Sequence, residues 1–497
     1  MIGSSAGPIV QRQGSAGSDH GWASRTPLDQ RPPQTRPGDR PITVIGCDAG
    51  GLGSLTPASL AHLRQAELIA APSRLLDDLR GWLASSPPQA SPEWPSEPAS
   101  TTPSPAAAAA LSTPIASARP ELLASDQPAR LLRPLHQALA DQRRVVVLAS
   151  GDPLWFGIGR WFLQHFPADQ LRFQPSPTAL QLAFARIGRP WQDASWISLH
   201  GRDPEPLAAR LQQRPPALAV LTDPGRGGVG AVRELLRASG LEAAYQLWLA
   251  ERLGHPQERV QLLRPADPLP ADLDPLHLAL LIAEPPAAPD PAALPLFGLE
   301  DGLWLQHPDH PGLMTKREVR IQLLADLELP SRGVLWDLGA GVGSVGLEAL
   351  RLRPDLELWA VERRLGGAAL IRANAARLAV HPAAILEAEA SEALANLPDP
   401  DRVLLGGGGP RRPALLAALL PRLRPEGRVV IPLASLEPLA ELRQQLEASG
   451  LSVRITQLQA WRGAALAEGT RLAPLNPVLV VSGRRRSGVR SARPPQR

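Results

Sequence analysis

Cysteine is almost absent: Cys47 is the only one in 497 residues. That excludes an internal disulfide and any zinc site built on cysteines, and it fits a reducing compartment. No apolar run approaches the roughly 20 residues of a membrane-crossing helix, and the run His277 to Ala283 falls far short. The N-terminus has no apolar stretch of the kind a secretory signal needs, so a cytoplasmic location with no membrane partner is expected. Excess charge is scarce as well. The formal charge is +4, and six positives (Arg484, Arg485, Arg486, Arg490, Arg493 and Arg497) stand together at the C-terminal end without an acid. The remainder is slightly negative, which argues against a nucleic-acid groove and makes that end a solvated tail. Lysine occurs once, as Lys316, with arginine everywhere else. Genome composition accounts for such a bias, and the lone ammonium in Thr315-Lys316-Arg317-Glu318 reads nearly equally as chance or as a position that prefers an ammonium.

The 44% of hydrophobic residues suffices for globular cores, whereas 56 prolines and 42 glycines require long connecting stretches too. A chain this long exceeds one core. Residues 1–40 lack periodicity and read as disordered, as do residues 486–497. Ser, Pro and Ala dominate about 84–128, which reads as an insertion looping out of the first domain, residues 41–284. A Pro-rich linker covers 285–300, and a second domain covers 301–485. In both domains apolar strands alternate with helical spacing, as in α/β architectures.

The second domain centres on Val334-Leu-Trp-Asp-Leu-Gly-Ala-Gly-Val-Gly-Ser-Val-Gly346, a strand, a glycine turn and the start of a helix. A second strand ends at Glu362, where an acid can meet a ribose. Gly341-Val-Gly343-Ser-Val-Gly346 also matches the dinucleotide fingerprint. A pyrophosphate on that helix N-terminus would be repelled by Asp337, whereas S-adenosylmethionine (SAM) carries no phosphate and two cationic centres that a carboxylate attracts. The acid before the glycines favours SAM. In the first domain the strand Ile42 to Ile45 runs into Gly46-Cys-Asp-Ala-Gly50-Gly51. The strand Val145 to Ala149 runs into Ser150-Gly151-Asp152-Pro153, whose small residues admit a ligand to the backbone.

From Gly151-Asp-Pro-Leu-Trp-Phe-Gly-Ile-Gly159, Ser198-Leu-His-Gly-Arg202, Leu221-Thr-Asp223 and Glu251-Arg-Leu-Gly254, the first domain resembles the tetrapyrrole methylase family in its cobalamin-pathway branch. The second resembles that branch's class I methyltransferase partner through Met314-Thr-Lys-Arg-Glu-Val-Arg320, Trp336-Asp-Leu-Gly-Ala-Gly341, Glu362-Arg363 and Gly406-Gly-Gly408. This order is that of the fused, decarboxylating precorrin-6Y methyltransferase family. The resemblance implies an α/β chain: an N-terminal two-lobed tetrapyrrole methylase fold and a C-terminal Rossmann-like doubly wound sheet. It implies SAM as methyl donor, no protein-bound metal, and a precorrin or cobalt-precorrin macrocycle as substrate, methylated at carbons 5 and 15 and decarboxylated at the carbon 12 acetate. A homo-oligomer is expected. Two departures from the family pattern are Asp48-Ala49 in the first glycine loop and Glu389 where an Asp is usual.

As the resemblance implies, Gly46, Gly151, Asp152, Thr178 and Ala179 lie near SAM in the first domain. In the second, Gly339 and Gly341 admit its methionine part, Glu362 takes the ribose, Glu389 and Ala390 meet the adenine, and Gly407 sits near the methyl. Thr315, Asp337 and Arg363 complete that set. Lys316 and His200 are the catalytic candidates, and Lys316, Arg317, Arg202 and Arg363 are candidates for the substrate's carboxylates. His307 and His310 lack a third ligand, so a metal is not expected there. Two other readings stay open: a nucleotide-dependent oxidoreductase, and a non-catalytic assembly module of the same pathway.

Overall fold

The protein is described from a computed structural model, covering residues 40–85, 119–199, 205–466 and 469–485. The segments read as disordered at either end, most of the low-complexity insertion, His200 and Arg202 lie outside the described residues.

Five strands build the first sheet: β1 Ile42–Cys47, β2 Leu68–Ala71, β3 Glu121–Ala124, β4 Val145–Ser150 and β5 Leu171–Gln174. Their order is β3-β2-β4-β1-β5, and every pairing is parallel. Such a sheet is covered on both faces, which is why β1 and β2 are apolar without alternation and buried throughout. Strand β3 corrects the span read as an insertion, because its end, Glu121–Ala124, pairs with β2 as the sheet's edge. Its Glu-Leu-Leu-Ala is too short and too half-exposed to announce a strand among alanines and prolines.

The second sheet is mixed. It holds β6 Ala194–Ser198, β7 Ala217–Leu221, β8 Tyr245–Glu251, β9 Arg259–Leu263 and β10 His277–Ala283 in the order β6-β7-β10-β8-β9, with only β6 and β7 parallel. The two lobes meet where the glycine loop after β1 lies against the Arg252–Glu258 turn. A Cβ on Gly50 would stand 2.6 Å from the Gly254 oxygen.

The second domain is one seven-stranded sheet of β11 Gly333–Leu338, β12 Leu356–Glu362, β13 Ala384–Glu387, β14 Arg402–Leu405, β15 Arg428–Leu433, β16 Leu451–Leu458 and β19 Val478–Arg485. The order is β13-β12-β11-β14-β15-β19-β16; the first five are parallel and β19 is antiparallel to both neighbours. Arg484 and Arg485, read as part of a solvated tail, belong to β19, and Arg485 donates to the Leu420 carbonyl. Among the described residues no helix is long and apolar enough to cross a membrane.

Between β16 and β19 the chain makes a hairpin, β17 Trp461–Leu466 and β18 Gly469–Pro474, that packs on the first domain's helix Gly228–Ala238. Arg462 on this hairpin donates to the Ser239 carbonyl (2.6 Å) and bonds Asp301 (2.9 Å) and Glu318 (2.8 Å). Beside it the fully buried Arg320 bridges Asp301 (2.7 Å) and Glu348 (2.9 Å). Buried charges persist only when paired and hydrogen-bonded, and this group satisfies both conditions. Burial pushes the Asp301 pKa up, but the Arg320 and Arg462 guanidiniums outweigh it and hold the carboxyl below its ordinary range.

The linker is clamped to the second domain. Arg377 donates to the carbonyls of Pro286 and Ala287, Arg351 to that of Pro295, and Glu348 accepts the N–H groups of Gly298 and Leu299.

Candidate functional site

In each domain the place where a ligand is expected is the C-terminal end of the parallel strands at a reversal of strand order. In the first domain that place is at the ends of β1 and β4, which are paired in parallel. Gly46 is required there, since a Cβ would fall 2.0 Å from the Gly151 oxygen and 2.7 Å from the Ser176 nitrogen. Gly151 turns the chain with φ +60°, and its open side faces the Thr178 backbone. Thr178 caps the helix Ala179–Arg186 in a reciprocal box with Gln181. Gly46, Gly151, Thr178 and Ala179 thus converge. Asp152 is occupied by its own turn, its Oδ1 accepting the Leu154 N–H at 2.8 Å. Asp48 does the same for Gly50, which explains how an acid is accommodated in a glycine loop.

The cleft of the second domain is built from two glycine segments in contact. Gly339, at φ +80°, leaves β11, and a Cβ on it would stand 2.5 Å from the Gly407 backbone after β14. The N–H groups of Gly406 and Gly407 both donate to the Leu338 carbonyl and lock that approach. Gly341 has open space where a Cβ would be, and its N–H donates to Glu362 Oε2 at 2.8 Å. The other Glu362 oxygen accepts the backbone N–H of Arg364 at 3.0 Å and its guanidinium at 3.2 Å. Gly341, Val342, Glu362 and Gly367 form one wall of a small open cleft. The other wall carries His307, His310 and Leu313.

Asp337 stands apart from these groups. Its carboxyl lies beneath the glycine turn, fully buried, accepting the Gly346 N–H at 3.2 Å. Burial, against that hydrogen bond and assisted by the Glu362 charge, pushes its pKa up to about 7. One carboxyl oxygen thus supports the glycine turn from below.

Lys316 lies behind the loop that forms the second wall. Its ammonium donates to the Gly312 carbonyl at 3.1 Å, beneath the loop that bears His307 and His310, and it does not line the cleft. Burial lowers its pKa despite the nearby Asp301. Thr315 and Glu318 have the spacing of a capping box, yet none forms. Asp301 accepts the Arg317 N–H at the helix start, and Glu318 is taken by Arg462. The Thr315 carbonyl accepts from Arg320. Arg317 is spent on the Gly298 carbonyl and Glu300.

Arg363 follows Glu362 in the chain and is exposed. With Arg411, it shares one Glu389 oxygen (3.3 and 3.2 Å), and both guanidiniums are largely exposed, at 63% and 68%. Ala390 opens the short helix that follows Glu389. Arg411 is a functional candidate missed in the sequence, where it is one arginine among many; its position after the Gly406–Gly409 run was the available signal. The loop 306–314 was missed as a cleft wall because only the fold brings it over Glu362.

Comparison with known proteins matches two family models, one after the other along the chain. The family model for tetrapyrrole (corrin/porphyrin) methylases matches residues 41–264, and that for the precorrin methyltransferase domain matches residues 307–485. The chain is 35% identical over 288 residues to a precorrin-6Y C(5,15)-methyltransferase [decarboxylating] of Sinorhizobium sp, covering 58% of this chain and 67% of that one. It is 29% identical over 462 residues to the protein of that name from Mycobacterium tuberculosis, covering 88% and 98%. A probable cobalt-precorrin-6B C(15)-methyltransferase (decarboxylating) of Pyrobaculum calidifontis is 36% identical over 171 residues, covering 34% of this chain and 87% of its own length.

Proposed function

The chain belongs to the decarboxylating precorrin-6Y C(5,15)-methyltransferase family, and from that premise we propose that it is a bifunctional SAM-dependent methyltransferase of corrin-ring biosynthesis. The N-terminal domain methylates carbon 5 of a precorrin-6 type macrocycle. The C-terminal domain methylates carbon 15 and removes the carbon 12 acetate as carbon dioxide. The observation that carries this reading is the pair of strand ends in one chain, each framed by glycines packed too closely for a side chain, within domains of these two families in this order.

The residues present suit the methyl donor. The closeness of Gly339 to Gly407 leaves bare backbone at the floor of the second cleft, and Glu362 offers a carboxylate for a ribose diol. In this reading Gly339 and Gly341 admit the methionine part, Glu389 and Ala390 meet the adenine, and Gly407 lies near the methyl. Gly46, Gly151, Thr178 and Ala179 hold the donor in the first domain. SAM supplies an electrophilic methyl on a sulfonium. The protein contributes alignment of an electron-rich ring carbon and exclusion of water, both of which suit a walled cleft. Charge from the departing carboxyl passes into the conjugated macrocycle, so no further electron sink is needed. Arg363 and Arg411 keep donors free beyond Glu389 and receive the substrate's acetates or propionates.

Calorimetric titration of the full chain tests this reading. SAM should fill two sites. Replacing Glu362 with alanine should leave one unchanged and weaken the other by roughly 10- to 100-fold, the worth of a hydrogen bond to a charged group. A variant that binds as the wild type does, or a chain that takes NADH in preference to SAM, would refute it.

A further inference from the structure

Decarboxylation needs a proton as well as an electron sink, and the second cleft contains few groups able to deliver one. Arginine does not deprotonate, so Arg364 is excluded. Both Glu362 oxygens accept hydrogen bonds from Gly341 and Arg364. His307 is committed at both nitrogens: its Nε2–H donates to the Leu365 carbonyl at 2.9 Å, and its Nδ1 accepts the Asp309 N–H at 3.3 Å. His310 differs from all of these. Among the described residues its imidazole has no hydrogen-bond partner, it is solvent-exposed, and it lines the cleft with its ring centroid 5.7 Å from that of His307.

The segment holding this ring is well fixed although the ring is free. The His310 N–H donates to the His307 carbonyl and its own carbonyl accepts from Leu313, giving two successive turns. Gln306 accepts the Gly312 N–H, and Lys316 donates to the Gly312 carbonyl from below. On the outer side a Cβ on Gly312 would stand 2.6 Å from the Gln212 oxygen, so the first domain backs the loop. A proton donor needs this combination of a fixed backbone and an uncommitted imidazole.

We propose that His310 is the proton donor that completes the decarboxylation, an inference that rests on the function proposed above. In the balanced step the bond between the acetate's methylene carbon and its carboxyl carbon breaks. Carbon dioxide leaves, and the bonding electron pair enters the conjugated macrocycle. The methylene carbon then forms a bond to a proton from the His310 imidazolium and becomes a methyl group, while the electron pair returns from the ring; until that proton arrives the electron pair recaptures carbon dioxide in the cleft, so net release waits on the proton. The neutral imidazole recovers its proton from water. One carbon dioxide leaves and one proton enters, with no oxidant or reductant.

The full chain is supplied with SAM and a precorrin-6Y type substrate in deuterated buffer, and products are resolved by mass. The wild type should gain two methyls, lose carbon dioxide and carry one solvent deuteron in the new methyl at carbon 12. His310→Ala should release carbon dioxide at least about 100-fold more slowly, the contribution usual for a positioned acid. It should accumulate methylated product that keeps the carboxyl, and added free imidazole should restore part of the release. That rescue separates proton delivery from a structural role. Carbon dioxide release by His310→Ala within threefold of the wild-type rate, or a slowed release that imidazole leaves unchanged, would overturn the proposal. A wild type that neither methylates nor decarboxylates the substrate would overturn the proposed function, and this step with it.

Discussion

Replacing Asp337 with asparagine should stabilise the protein at neutral and alkaline pH and leave it unchanged in acid. The carboxyl is buried under the glycine turn with one hydrogen-bond donor, Gly346, and its pKa is raised from 3.8 to about 7. A carboxyl raised on folding favours the folded state fully below its unfolded pKa. That contribution is lost as pH climbs through the folded value. The window therefore runs from about pH 4 to about pH 7, and above it the native state carries a buried charge. A shift of this size corresponds to roughly 4 kcal/mol at one pKa unit per 1.4 kcal/mol, an upper figure because relaxation and water reduce it. Asparagine keeps an oxygen for the Gly346 N–H and removes the charge. The assay is urea denaturation of both proteins at pH 4, 6 and 8, read by hydrogen exchange of the β11 amides so that the second domain is followed by itself. The variant should match the wild type at pH 4 and exceed it by about 2–4 kcal/mol at pH 8. A difference that does not change with pH would refute the reasoning, and so would a variant that is weaker at every pH.

Gly339→Ala should close the second cleft: at φ +80° and 2.5 Å from Gly407, a methyl forces the two glycine segments apart. A loss of more than about 1 kcal/mol in stability, together with loss of one SAM site by calorimetry, is the expected result. Arg462→Ala should leave Asp301 and Glu318 short of a partner at the domain junction, at a cost of about 3 kcal/mol typical of a broken buried pair, and should quicken proteolysis near the hairpin. Thermal unfolding with limited proteolysis checks it, and an unchanged pattern would show that the junction does not depend on this residue.

Much of this architecture was legible because strand-forming and turn-forming residues are sharply separated in the parallel sheets. Val145 to Ala149 and Val334 to Leu338 are buried on both faces and end in glycine, so local composition reports the fold directly. The short edge strand Glu121–Ala124 and the hairpin Trp461–Pro474 were not legible. Their stability comes from distant partners, β2 in one case and the helix Gly228–Ala238 in the other, and no local pattern announces a partner. The candidate site divides along the same line. Gly46, Gly151, Gly339 and Glu362 sit at strand ends where spacing determines position. The burial of Asp337 and Lys316, the pairing of Arg411 with Glu389 and the approach of His310 to Glu362's wall arise from tertiary folding.

The clamped stretch between the domains has a consequence for how the two catalytic halves coexist. Because Arg351, Arg377 and Glu348 hold it along its length, and Arg462 reaches across from the far end of the chain, neither half swings on a tether. A nick within Pro285–Pro295 should therefore release no free fragment, and the cleaved protein should still migrate as a single particle. The spacing between the two sites is then a fixed property of the molecule, and any intermediate passing from one to the other crosses a constant distance.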